Sequence, residues 1–121
     1  MINISLLLTL VNQIKIFHWQ TPKYAEHIAL NDLYDALNDQ IDELVEVYQG
    51  KIQSVIKTKD NFDVKLYNYI STEDIVDYID KFINYLDTKM IDKPDENGDL
   101  VSIKDDIVAG LNKTKYLLTL E

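Results

Sequence analysis

The chain has 121 residues, no cysteine and a net charge of −9, which fits one domain over 1–121 with a core that needs no staples. Without cysteine, disulfides, thiolate metal sites and thiol chemistry are excluded; without arginine, so are arginine fingers and bidentate phosphate forks. Its twelve basic residues are all lysines on an acidic background, which argues against nucleic acid and anionic membranes as partners, since both rely on basic surface.

A first helix is expected over roughly Asn3 to Trp19, where Leu7, Leu10, Val11, Ile14 and Phe17 recur at helical spacing. The opening MINISLLLTL is apolar but has no basic region before it and no small-residue cleavage site after it. It reads as helix rather than signal peptide. No apolar stretch approaches the ~20 residues that span a bilayer. Thr21-Pro22 breaks the pattern. A second helix follows from about Lys23 to Gln49, ending at Gly50, with Leu30, Leu33, Leu37, Ile41, Leu44 and Tyr48 in one apolar stripe. Gly50 to Ile70 is a long connection whose weak alternation leaves a short helix or strand open. Ser71-Thr72-Glu73-Asp74 reads as the cap of a third helix, with acids in its first turn. Ile75, Ile79, Phe82 and Leu86 form its stripe, and Pro94 and Gly98 are expected to end it. Ser102 with Asp105 is expected to cap a fourth helix burying Ile103, Ile107, Leu111 and Leu118.

The expectation is therefore an all-α fold: a ferritin-like four-helix bundle, two antiparallel hairpins joined by a long crossover. The lengths allow it. The second helix spans roughly 40 Å, and about twenty extended residues reach ~65 Å.

"FHWQTPKYAEH", Phe17 to His27, holds both histidines and the only tryptophan. With His27 at zero and ~100° per residue, Asn31 falls at ~40°, Asp42 at ~60° and Glu46 at ~100°, while the apolar stripe centres near about −80°. His27, Asn31, Asp42 and Glu46 thus form a second stripe, away from the core. Lys15 and Tyr24 stand three residues before the histidines, so the inward Glu-x-x-His pairs of a di-iron bundle are absent. A metal site on this stripe belongs at a surface or between subunits. The plainer readings are a solvated carboxylate face for Asp42 and Glu46, a packing or surface role for His27, a core or interface position for His18, and a packing or interface aromatic at Trp19. Asp95 to Asp99, DENGD, lacks EF-hand spacing and reads as a turn.

The stretch Ile14 to Gly50, IKIFHWQTPKYAEHIALNDLYDALNDQIDELVEVYQG, resembles the Dps branch of the ferritin superfamily, the miniferritins. It is also similar to small phage and virus proteins with the pattern FHWQT…H…YD…IDELVE…YQG. The resemblance implies a ferroxidase site across a two-fold interface, with His18 and His27 from one subunit and Asp42 and Glu46 from its neighbour. Asn31 stands where the family has an aspartate; its amide oxygen can ligate a metal but brings no charge. The implied metal is iron, with manganese and zinc as the other metals to test. The implied assembly is a homo-oligomer: a two-fold dimer at minimum, a dodecamer if fully Dps-like. The implied compartment is the cytoplasm, the host's if the source is viral. Trp19 would be a nearby electron donor.

Two functions follow. One is Fe(II) oxidation at intersubunit sites with iron storage in an oligomeric shell. The other is a non-enzymatic phage or viral accessory or host-interaction protein that kept the fold and lost the chemistry, which Asn31 and the short chain favour.

Overall fold

The computed structural model describes residues 2–120. Its α-helices are α1 (Ile4–Gln20), α2 (Tyr24–Ile52), α3 (Thr72–Thr88) and α4 (Gly98–Leu117), with a 3-10 turn at Pro94–Glu96. Among the described residues there is no strand, and no helix is long and apolar enough to cross a membrane.

Local chemistry sets the helix ends. Asn3 caps α1, its side chain accepting from the Leu6 N–H at 3.1 Å. Pro22 ends that helix by excluding the α conformation from the residue before it; Thr21 is extended, with φ −62° and ψ 135°. Ser71 caps α3 as expected, its Oγ accepting from the Asp74 N–H at 3.2 Å. Glu73 and Asp74 lie in that first turn, where the helix dipole favours negative charge.

Two boundaries differ from the sequence reading. Gly50 lies inside α2, and the left-handed residue that ends the helix is Gln53, with φ 54° and ψ 42°. Gln49 helps close the end: its carbonyl accepts from Ser54 N–H at 3.2 Å and its side chain from Ile56 N–H at 2.9 Å. The other is α4, which starts at Gly98, so Ser102 is inside it rather than its cap. Asn97 makes the early start possible. Its side chain donates to the carbonyls of Asp92 and Lys93, at 3.0 and 3.1 Å, folding the turn back before the helix begins. Pro94 belongs to this turn, well after α3 has ended at Thr88.

The four expected apolar stripes meet in one core. Leu7, Leu10 and Ile14 from α1 pack with Leu30, Leu37 and Leu44 from α2, Ile75, Ile79 and Leu86 from α3, and Ile107 and Leu111 from α4, all buried. Full burial of each such side chain contributes roughly 1.5–3 kcal/mol.

Polar contacts give the helix directions. Lys115 bonds Asp80 at 2.5 Å and Lys104 bonds Asp87 at 3.0 Å, so α3 and α4 run antiparallel. Burial pulls the Lys104 ammonium down, but its hydrogen bonds to Asp105 and Asp87 outweigh this and hold it above the ordinary lysine value. At the start of α2, Lys23 donates to Thr72 Oγ1 at 2.9 Å. At its end, Lys51 donates to Asp99 at 3.0 Å, which, together with the Leu100 N–H, holds that carboxyl below its usual range. Hence α3 begins beside the start of α2, and α4 begins beside its end.

The connection between α2 and α3, residues 53–71, has no helix or strand, and α1 holds its second half through two glutamines. Gln13, wholly buried, donates to Tyr67 C=O at 2.9 Å and accepts from Tyr67 N–H at 2.7 Å. Gln20 accepts from Tyr69 N–H at 2.6 Å.

Candidate functional site

The α1–α2 turn brings the two histidines face to face. Their rings stack with centroids 3.9 Å apart and planes 18° from parallel. The hydrogen bonds are reciprocal: His18 Nδ1 lies 2.7 Å from the His27 carbonyl, and His27 Nδ1 lies 2.8 Å from the His18 carbonyl. A carbonyl only accepts, so each Nδ1 carries the proton. In the neutral ring the Nε2 lone pair is then left available. An imidazole held through one nitrogen by a backbone carbonyl is the usual state of a metal-binding histidine, because that bond orients the ring and raises its basicity. The same bonds do structural work, since the His18 carbonyl lies in the last turn of α1, where no intrahelical partner is available.

His18 is buried at 8% exposure, while His27 and Asn31 are half-buried. Asp42 and Glu46 are exposed on the same helix, in keeping with the stripe angles. From His27 they lie roughly 22 and 28 Å along the axis, too far to share an ion with it. Among the described residues, no three His, Asp or Glu side chains within the chain could hold one metal. The structure thus unites His18 with His27 and leaves Asp42 and Glu46 apart. The donor types suit iron: borderline imidazole nitrogens and hard carboxylate oxygens. Only a second subunit could bring them together.

Exposed aromatic residues adjoin the pair in sequence, and the Tyr24 ring lies 6.4 Å from that of His27. Trp19 is 65% exposed and Tyr24 78% exposed, so Trp19 is not a packing residue of this chain's core. The Lys15 ammonium lies 5.7 Å from the Trp19 ring centre and 4.3 Å from that of Tyr34. A cleft of about 520 Å³ over Glu26 and another of about 460 Å³ between α3 and residues 67–70 include none of the five candidate ligands.

Besides Gln13, two polar residues escaped the sequence reading. Glu26 is 4% exposed, accepts from Thr21 Oγ1 at 2.8 Å and from Thr72 Oγ1, and has Lys23 Nζ 3.8 Å away. The signal was present, because Glu26 extends the Leu30–Leu33–Leu37 stripe one turn backward and so had to be buried. Tyr78 is the other. Its hydroxyl is buried with no hydrogen-bond partner, and burial, helped by nearby Tyr67, pushes its pKa well above the ordinary phenol value. Its ring packs with those of Phe17 and Phe82, 5.7 and 5.3 Å away.

The profile of a family of unknown function (DUF5856) matches residues 18–118, from the first histidine of the pair to the end of the last helix. No curated protein and no solved structure matches the chain.

Proposed function

This chain belongs to the DUF5856 family, and from its own side chains we propose that it is a miniferritin-like protein that binds and oxidises Fe(II) between subunits. In this reading the fold is the ferritin-like bundle, with antiparallel hairpins α1–α2 and α3–α4 and a crossover running the bundle's length. The carrying observation is the reciprocal histidine clamp, which fixes both tautomers and leaves both Nε2 atoms for a ligand. His18 and His27 bind iron from one subunit. Asp42 and Glu46 of the neighbour supply negative charge that favours Fe(III). Asn31 contributes a neutral oxygen. Exposed Trp19, Tyr24 and Ile28 surround the pair with apolar surface that a second copy would cover, and Trp19 is placed to give an electron. The assembly is a two-fold dimer at least, and a dodecamer if iron is stored in a shell. Manganese and zinc are the competing metals to test.

A site shared across a two-fold predicts complementation. His27→Ala and Asp42→Ala each lose Fe(II) oxidation alone. Unfolded together and refolded as a mixture, they regain about a quarter of the wild-type sites, because each mixed dimer has one intact and one doubly broken site. A mixture as inactive as its parents, or parents as active as wild type, would defeat the assignment.

The second reading is a helical interaction protein of phage or viral type without chemistry. Asn31 in the aspartate position favours it, as does the structural use of the histidine bonds in closing the end of α1. It predicts no bound iron, manganese or zinc in equilibrium dialysis at micromolar metal.

A further inference from the structure

We propose that residues 61–67 form a pairing edge for the same segment of a second copy of this chain, the two running antiparallel about a two-fold axis at Val64. Residues 61–70 run without turn or bend, and the side chains of α1 hold one edge at Tyr67 and Tyr69. In an extended chain, the backbone groups of successive residues point to opposite edges. With 67 and 69 turned to α1, the N–H and C=O groups of Phe62, Val64 and Leu66 belong to the other edge. Among the described residues, none of these three makes a backbone hydrogen bond. Their side chains are 41%, 43% and 39% exposed. An unpaired edge with alternate apolar side chains is a template for an added strand.

The local sequence selects a second copy as that strand. Phe62-Asp63-Val64-Lys65-Leu66 reads as a charge palindrome. A two-fold at Val64 sets Asp63 opposite Lys65 of the second copy, and Lys65 opposite its Asp63. It also sets Phe62 opposite Leu66, again twice. Facing opposite charges and apolar pairs each stabilise an antiparallel ladder. The register uses the free edge: Val64 meets Val64, and Phe62 meets Leu66, in about six reciprocal backbone hydrogen bonds. In-register parallel pairing would set Asp63 on Asp63 and Lys65 on Lys65. The contact is isologous, so it closes at two chains. It uses none of the iron ligands, and pairing requires no metal.

The absence of native cysteine makes a direct test available on the full, metal-free chain. At the axis, the two residues 64 have Cα atoms about 5.5 Å apart, inside the roughly 4.4–6.8 Å range of a disulfide. Val64→Cys should therefore form a covalent dimer under mild oxidation at least about tenfold faster than Thr58→Cys, an exposed control outside the paired segment, beyond the bend at residues 59 and 60. Adding Asp63→Lys to Val64→Cys should slow crosslinking roughly tenfold, because like charges then face each other twice. Adding Lys65→Asp as well should restore the rate. Far-UV circular dichroism should stay unchanged throughout, since these side chains lie outside the helices. Equal rates for the two cysteine variants, or a double charge swap no faster than Asp63→Lys, would overturn the proposal. Neither result bears on iron, so this test and that of the iron site fail separately.

Discussion

Glu26 is the carboxylate on which the end of the bundle depends. It ties the α1–α2 turn, through Thr21, to the start of α3, through Thr72. Hydrogen bonds to a charged acceptor contribute roughly 1.5–3 kcal/mol each, less what burying the carboxylate costs. The Lys23 contact adds little, because that ammonium is mostly in water and 3.8 Å away. Glu26→Ala should therefore cost about 2–4 kcal/mol, against a total on the order of 10 kcal/mol for a domain of this size. Glu26→Gln should cost only about 1 kcal/mol, because its oxygen still accepts one hydroxyl and the other threonine can turn to accept from its amide. Urea unfolding followed by far-UV circular dichroism would read these as shifts in midpoint at constant slope. A double-mutant cycle with Thr72→Val should return a coupling of about 1 kcal/mol or more. An alanine variant within about 0.5 kcal/mol of wild type, or a cycle with no coupling, would show that these bonds do not carry the end of the bundle.

Tyr78→Phe should stabilise the protein by about 1 kcal/mol at neutral pH, since it removes a buried hydroxyl that has no partner. Its linkage is also testable. The folded pKa is raised above the unfolded value of 10.0, so the unfolded chain releases this proton first. Stability should be lost as pH rises above about 10, and the fall should be shallower in the phenylalanine variant. Gln13→Ala should cost about 2 kcal/mol, because it strands both backbone groups of Tyr67, and hydrogen exchange at Tyr67 should rise with it. His27→Ala should cost about 1–2 kcal/mol through loss of the bond to the His18 carbonyl. Asp42→Ala should cost less than about 0.5 kcal/mol, and both variants should lose iron, which separates the structural role of the clamp from its chemistry.

The helices were legible because their stripes were. Leu30, Leu33, Leu37, Ile41 and Leu44 fall at steps of three or four residues, and all five are buried. Pro22 and Ser71 act by rules confined to a few residues, and both helix ends fell where expected. Gly50 misled because a glycine marks a helix end only where the backbone turns left-handed, and that demand fell on Gln53. The α4 start was hidden because Asn97 reaches back to Asp92 and Lys93, a loop geometry that periodicity does not encode. Nothing in the local pattern of residues 53–71 announces their path, since Gln13, 54 residues away from Tyr67, helps hold them. The candidate site divides in the same way. The outward angles of Asp42 and Glu46 were readable from helix geometry, whereas the stacked histidine clamp needed the fold of the turn.

The most direct test of the iron reading is native mass spectrometry of the purified protein before and after anaerobic addition of Fe(II), with His27→Ala alongside. The account predicts an oligomer, near 169 kDa if dodecameric (12 × 14.1 kDa), that gains iron at its intersubunit sites, while the alanine variant keeps its assembly and gains none. A monomer that stays metal-free, or a variant that takes up as much iron as wild type, would contradict it.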